Sequence, residues 1–440
     1  MYHAGLRLLA LGFRLQAGSL EPGAKPTVTH STDVAVIGAG PAGSWAAYNL
    51  ARSGARVTIF DPSHPREKPC GGGVTGRALA LVADAVTETS VPATTIRRAR
   101  FLDTADERSA VVPLTGGPIR LKPDPTNSNG TAALIVASRA TFDAALLEAA
   151  CQAGAALMTA RVTDVALEPG GAWIRTAHDS VRARFLIGAD GANSLVRRRF
   201  ARPFRREDFS IATGYFAHGI TSDEILIEFM PDPPGYIWSF PRPAHLAIGI
   251  CGQADAGWTA AALRERTAAW IRDARIADSA RLEPYSWPIP SLGVQRLGRL
   301  ELAGPNWCLV GDAAGLVDPI TREGIYFALL SGQWAADAAL SGDPSQYAAR
   351  VRAKIIPELA RAAHLKAGFF QLASSGLLIR ALRHSAAVGE IMASLIAGRQ
   401  GYAGLKWQLL RTLEWRLAWQ AIGIAGAAVA PGGPVRQRAK

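Results

Sequence analysis

The residue types with the clearest chemistry begin with three glycines. Within GAGPAG, Gly38, Gly40 and Gly43 hold the G-x-G-x-x-G positions, with Pro41 and Ala42 between the second and third. The first glycine permits a tight turn, the second lets backbone approach a pyrophosphate, and the third lets a helix pack on the preceding strand. Asp61, about twenty residues further on, stands where a carboxylate can accept from an adenosine ribose hydroxyl. Two later acids have similar small-residue settings: Asp190 in GADGANS, and Asp312 after Gly311 in GDAAG. Cys70 opens a run in which Gly71, Gly72 and Gly73 allow backbone to lie close against a planar ring. Tyr236, Trp238 and Phe240 alternate as strand residues do, which puts three aromatic rings on one face.

These residues need elements to hold them. Residues 34–37 form an apolar run ending in glycine, 41–51 have helical character, and 56–60 are a second apolar run, so the glycines sit in a βαβ unit. Strands at 185–189 and 307–310 carry Asp190 and Asp312 at their C-terminal ends, where open α/β sheets bind ligands. Gly324 opens a helix through Gln333, whose free N–H groups and positive dipole suit an anionic ring edge. Short strands are predicted at 97–103, 109–113, 119–121, 211–218, 225–230, 236–240 and 246–251, separated by Pro and Gly turns. After Asp343 the apolar residues recur at helical spacing.

GAGPAG, GADGANS and GDAAG…P…EGI together resemble the FAD-dependent oxidoreductases of the aromatic-hydroxylase fold, over residues 33–339. That resemblance implies an α/β fold in which a Rossmann-like FAD-binding domain (31–95, 135–200 and 296–343) is discontinuous. An antiparallel-sheet substrate domain (96–134 and 201–295) is inserted into it, with an N-terminal arm (1–30) before and a helical cap (344–440) behind. It also implies FAD as the tightly held cofactor, Arg139 near its pyrophosphate, Asp312 on its ribityl chain, and Gly315, Pro319, Gly324 and Ile325 along the isoalloxazine ring.

KPCGGG at 68–73 and YIWSFP at 236–241 narrow the resemblance to the geranylgeranyl reductase family. The W-x-W-x-I-P stretch of flavin-dependent halogenases is lacking. The implied chemistry is reduced flavin acting on an apolar, prenyl-type substrate, with NAD(P)H or another external donor visiting transiently. Cys70, Tyr236 and Trp238 are then the catalytic candidates, and Gly71, Gly72, Gly73 and Phe240 join the two aromatics at the substrate. For Cys70 the alternative is a small packing residue, and for the aromatics a sheet packing on its own core. A second reaction class stays open: an FAD-dependent monooxygenase hydroxylating an aromatic ring, including tryptophan in a peptide or protein during quinone-cofactor maturation. A non-catalytic FAD-binding protein is the third.

The 440 residues are 49% hydrophobic and 19% charged, enough for two or three domains and too apolar for a disordered chain. The net charge of +12 comes from scattered arginines without interleaved aromatics, which argues against nucleic acid and suits an acidic protein partner or anionic lipid. Four dispersed cysteines give no metal or dithiol spacing and fit a cytoplasmic setting. The stretch 407–430, with Trp407, Trp415 and Trp419, is too short to span a bilayer; it is expected to dock on the protein's own surface or to touch a membrane peripherally.

Overall fold

The computed structural model describes residues 30–87, 90–114, 133–374, 376–399 and 401–405. The expected strand at 119–121 and the expected docking or interfacial helix at 407–430 lie outside these residues.

Eight described strands build the nucleotide sheet, whose main path runs Ala303–Gly304, Trp307–Leu309, Ser180–Gly188, His30–Ile37, Val57–Phe60, Ala156–Met158. From Trp307–Leu309 to Ala156–Met158 the neighbours are parallel. Such strands are covered on both faces, which explains the unbroken apolar run Val34 to Ile37, at most 4% exposed. The registers Ile37↔Gly188, Ile37↔Phe60 and Gly188↔Leu309 bring four strand ends, and the loops that follow them, side by side. Gly38, Asp61, Asp190 and Asp312 therefore meet at one sheet edge although 274 positions separate the first from the last.

The glycine turn depends on atoms that leave no room for side chains. Gly38 has φ +103°, and a Cβ on it would lie 2.4 Å from the Ala189 carbonyl oxygen. A Cβ on Gly43 would lie 1.9 Å from the Gly38 oxygen, so this glycine lets helix Pro41–Arg52 descend onto the first strand. The same helix packs against Ile325–Ser341, where a Cβ on Gly332 would meet the Ala42 oxygen at 2.4 Å.

The second sheet has the order Arg281–Pro290, Phe209–His218, His245–Gln253, Gly235–Pro241, Glu224–Met230, Arg98–Asp103, Arg108–Pro113. It is antiparallel except where Glu224–Met230 runs parallel to Arg98–Asp103 and joins the early hairpin to the later strands. Helix Ala260–Asp273 covers one face, with Leu263, Trp270 and Ile271 packed on Ile237, Ile248 and Ile250. On the other face Trp238 lies opposite Gly249, where any Cβ would come within 2.5 Å of the indole. A small third sheet, Gly73–Thr75 with Leu134–Ala137 and Ala93–Thr95, anchors the end of the cysteine-glycine loop.

Helices Pro344–Lys354, Ile356–Ser374, Leu377–His384 and Ala386–Ile396 follow. Ile379, Leu382, Val388 and Met392 bury themselves against Phe101, Val112 and Ile225 of the second sheet. No described helix is long and apolar enough to cross a membrane.

Candidate cofactor and substrate site

A cavity of about 1040 Å³ runs from the glycine turn, past Cys70 and Asp312, to the aromatic face of the second sheet. That exceeds the usual range for a single small ligand, up to about 1,000 Å³. Of the residues singled out from sequence, Gly38, Gly40, Pro41, Ala42, Asp61, Cys70, Gly71, Gly72, Gly73, Arg139, Asp190, Tyr236, Trp238, Phe240, Asp312, Gly324 and Ile325 stand on its wall.

Four do not. Gly43 is spent on packing beneath the turn, and Gly311 (φ +55°) is enclosed by Ala42 and Ala328. Gly315, expected along the flavin ring, instead ends the short helix Gly311–Ala314 with φ +80° and faces Leu292 and Phe204. Pro319, expected beside it, is buried in the turn that follows Asp318. Both are needed for the backbone path of this loop, not for its exposed surface.

The nucleotide end fits the dinucleotide that its motif implies. A Cβ on Gly40 would stand in the cavity, its nearest neighbour being His64 Nε2 at 3.8 Å. Gly40 is also the cap of helix Pro41–Arg52 and supplies no side chain to its free N–H groups. An anionic pyrophosphate satisfies those donors and the helix dipole together. Arg66, Arg161 and Arg198 add positive charge to the same wall.

Asp61 is already heavily engaged. Its Oδ2 accepts from Ala39 N at 2.9 Å and lies 2.8 Å from His64 Nδ1, while Oδ1 accepts from Ser63 N at 2.8 Å and His64 N at 2.9 Å. A carboxylate offers about four acceptor sites, so the ribose contact expected of Asp61 competes with the turn it organises. Burial opposes its charge, but the bonds from His64 and Ala39 prevail and hold its carboxyl far below the ordinary carboxylate range. His64 in turn lies 3.6 Å from Asp143. Burial lowers its affinity for a proton, yet Asp143 and Asp61 together raise its pKa above the usual 6.5. Asp190 caps helix Leu195–Phe200 by accepting from Leu195 N at 2.6 Å and Val196 N at 3.2 Å, and burial pushes its carboxyl upward.

The middle of the cavity is an ionic junction that the sequence did not announce. Lys68 Nζ donates to Asp312 Oδ2 at 2.8 Å. Arg139 forks onto Asp143 at 2.8 Å through both Nε and Nη2, and its Nη1 lies 3.8 Å from Cys70 Sγ. Arg242, wholly buried, pairs with Glu67 and donates from Nη2 to the Cys70 carbonyl oxygen at 2.7 Å. Its guanidinium is 4.0 Å from Cys70 Sγ, so two cations flank the half-buried thiol. Arg242 directly follows YIWSFP, and that adjacency was the only sequence signal for it.

Tyr236, Trp238 and Phe240 all reach the cavity. The Phe240 ring packs on the cysteine-glycine loop so closely that a Cβ on Gly71 would lie 2.6 Å from it. Tyr236 donates its hydroxyl to the Thr321 carbonyl oxygen at 2.8 Å, which ties the sheet to the loop before Gly324. Burial pushes the Tyr236 phenol well above its ordinary pKa. Beyond these rings the wall is apolar, with Phe101, Ile225, Ile227, Phe369, Leu395 and Ile396 contributed by the sheet and the C-terminal helices. Among the described residues no group of three His, Cys, Asp or Glu side chains is placed to hold a metal ion.

The family described as FAD binding domain matches residues 31–329. The menaquinone reductase of Mycolicibacterium smegmatis is 31% identical over 339 residues, 72% of this chain and 78% of that protein. The geranylgeranyl diphosphate reductase of Rhodobacter capsulatus is 28% identical over 340 residues, 71% of this chain and 77% of that protein. A crystal structure of a geranylgeranyl bacteriochlorophyll reductase-like protein from Thermoplasma acidophilum has a TM-score of 0.70 at 22% identity, covering 87% of this chain and 99% of that one.

Proposed function

The chain belongs to the FAD binding domain family of flavoprotein oxidoreductases, and we propose that it saturates a carbon–carbon double bond in an apolar, prenyl-type substrate. The observation that carries this reading is the continuity of one cavity, from a glycine turn suited to a dinucleotide to an apolar chamber behind an aromatic face. The reductases among its relatives support it.

The flavin, when bound, supplies hydride chemistry that no side chain can. The protein's part is to place and dry it. Gly38 and Gly40 with the start of helix Pro41–Arg52 would hold the pyrophosphate, and the Lys68–Asp312 pair would meet the ribityl chain with its charge already balanced. The cysteine-glycine loop, fixed from behind by Arg242 and Phe240, would press against the ring. Phe101, Ile225 and Ile227 would exclude water around the chain to be reduced. Cys70, Tyr236 and Trp238 stand on the cavity wall and are the candidates for contact with reacting atoms. NAD(P)H or another two-electron donor would supply the flavin from outside.

Anaerobic turnover with a polyprenyl substrate tests the proposal by product mass. A gain of two hydrogens supports it. A gain of oxygen, appearing only when air is admitted, would replace it with ring hydroxylation.

A further inference from the structure

On the cavity wall stands Arg322, and behind it Lys366 shares its hydroxyl partner; neither cation is ion-paired to an acid among the described residues. Arg322 stands on the wall two residues before Gly324, the cap of helix Ile325–Ser341. Its Nη1 donates to Ser291 Oγ, while Nε and Nη2 are buried without a hydrogen-bond acceptor. Lys366, from helix Ile356–Ser374, reaches the same hydroxyl at 2.9 Å and Gln253 Oε1 at 2.5 Å. Neither makes an ion pair with a carboxylate among the described residues. Glu323 is engaged with Arg77 and Thr75, and Asp318 with Ile320 N, Thr321 N and the Tyr402 hydroxyl, while exposed Asp255 favours the Lys366 charge less than burial and Arg322 oppose it.

The arrangement is costly in two independent ways. Arg322 has φ +61°, a left-handed conformation that is unfavourable for a residue with a side chain. Burying cations without a counter-charge is also unfavourable, and burial together with Arg322 brings the Lys366 ammonium down to about 7. Strain and unpaired charge persist where a ligand makes use of them.

We propose that Arg322 and Lys366 form an electrostatic site for the negative charge that the bound flavin gains on reduction, and so raise its midpoint potential. This rests on the FAD reading above. Two electrons and one proton, delivered by an external donor, leave one negative charge on the flavin ring. A charge acting through a low-dielectric wall needs no direct contact to stabilise it. The pair also explains why a bulky residue occupies a backbone position better suited to glycine.

The test is a spectroelectrochemical titration of the FAD-loaded full chain at pH 6, where Lys366 is charged. Lys366→Met should favour the oxidised flavin about tenfold, a drop of ~30 mV for a two-electron couple. Lys366→Arg should leave the potential near that of the wild type. Gln253→Glu, nearly isosteric, should lower it as well by giving Lys366 an acid partner, and it carries the test if Lys366→Met fails to fold. Unchanged potentials in FAD-loaded Lys366→Met or Gln253→Glu overturn the inference alone. A wild-type protein that binds no FAD overturns it together with the reading on which it rests.

Discussion

Arg242 Nη2 donates to the Cys70 carbonyl oxygen at 2.7 Å, so the end of a substrate-sheet strand holds the loop of the nucleotide domain that carries the thiol. The guanidinium is wholly buried, and its ion-pair partner among the described residues is Glu67, whose side chain is 29% exposed. The second sheet is therefore joined to the cysteine-glycine loop beside Cys70 by an ion pair and a hydrogen bond to backbone.

Glu67→Gln leaves Arg242 buried without a counter-charge. Breaking a buried pair from one side typically costs about 3–5 kcal/mol, and the retained amide oxygen places this case near ~3. Urea denaturation should show that loss. A change within ~0.5 kcal/mol would mean that the pair does not anchor the loop.

Two glycines of one motif should fail differently. Gly40→Ala adds a methyl into open cavity, so stability should hold while FAD affinity falls at least ~10-fold. Gly43→Ala places a methyl 1.9 Å from the Gly38 oxygen and should lower stability by ~2 kcal/mol or more whether or not FAD is present. Thermal melts with and without FAD separate the two, and equal behaviour would contradict these roles.

His64 gives the nucleotide end a pH signature. Its folded pKa lies above 6.5, so its contribution is fully present below that value and is lost as pH rises through the folded pKa. Asp61 and Asp143 have lowered values, and their contributions, present above about 4, fade only in strong acid. Lys366, held near 7 in the folded chain, sets an opposing trend above pH 7. The His64 signature is therefore the gap between the melting temperatures of the wild type and His64→Gln, which should narrow from pH 6 to pH 9; a gap that does not change with pH would rule out the His64 pairing.

Ile227 lies on the apolar wall, away from the nucleotide end. Ile227→Trp should fill part of the chamber, lower kcat/KM for a long prenyl chain by ~10-fold or more, and leave the bound-FAD spectrum unchanged. Equal turnover of long chains would place the substrate elsewhere.

Local signals carried far in this protein. GAGPAG reported its own geometry because each glycine answers a steric demand within a few residues, and YIWSFP reported its face because strand alternation is local. Gly315 and Pro319 show the converse: the small residues after Asp312 indicate a tight path without telling which side of it faces the cavity, and these two lie off its wall. Arg242, Lys68, Arg322 and Lys366 carry no such local signal, because their partners lie far along the chain.

The sequence by itself determined the βαβ start, the three strand-end loops, the alternating aromatic face and the family, since all are written in short-range spacing. Only the tertiary structure decided which of those residues meet. Parallel register brings Gly38, Asp190 and Asp312 to one edge, and packing between domains sets Arg242 against Cys70. It also left Arg322 and Lys366 without an ion-paired acid among the described residues, because the charge balance of a buried group depends on all the chain segments folded around it, not on its neighbours in sequence.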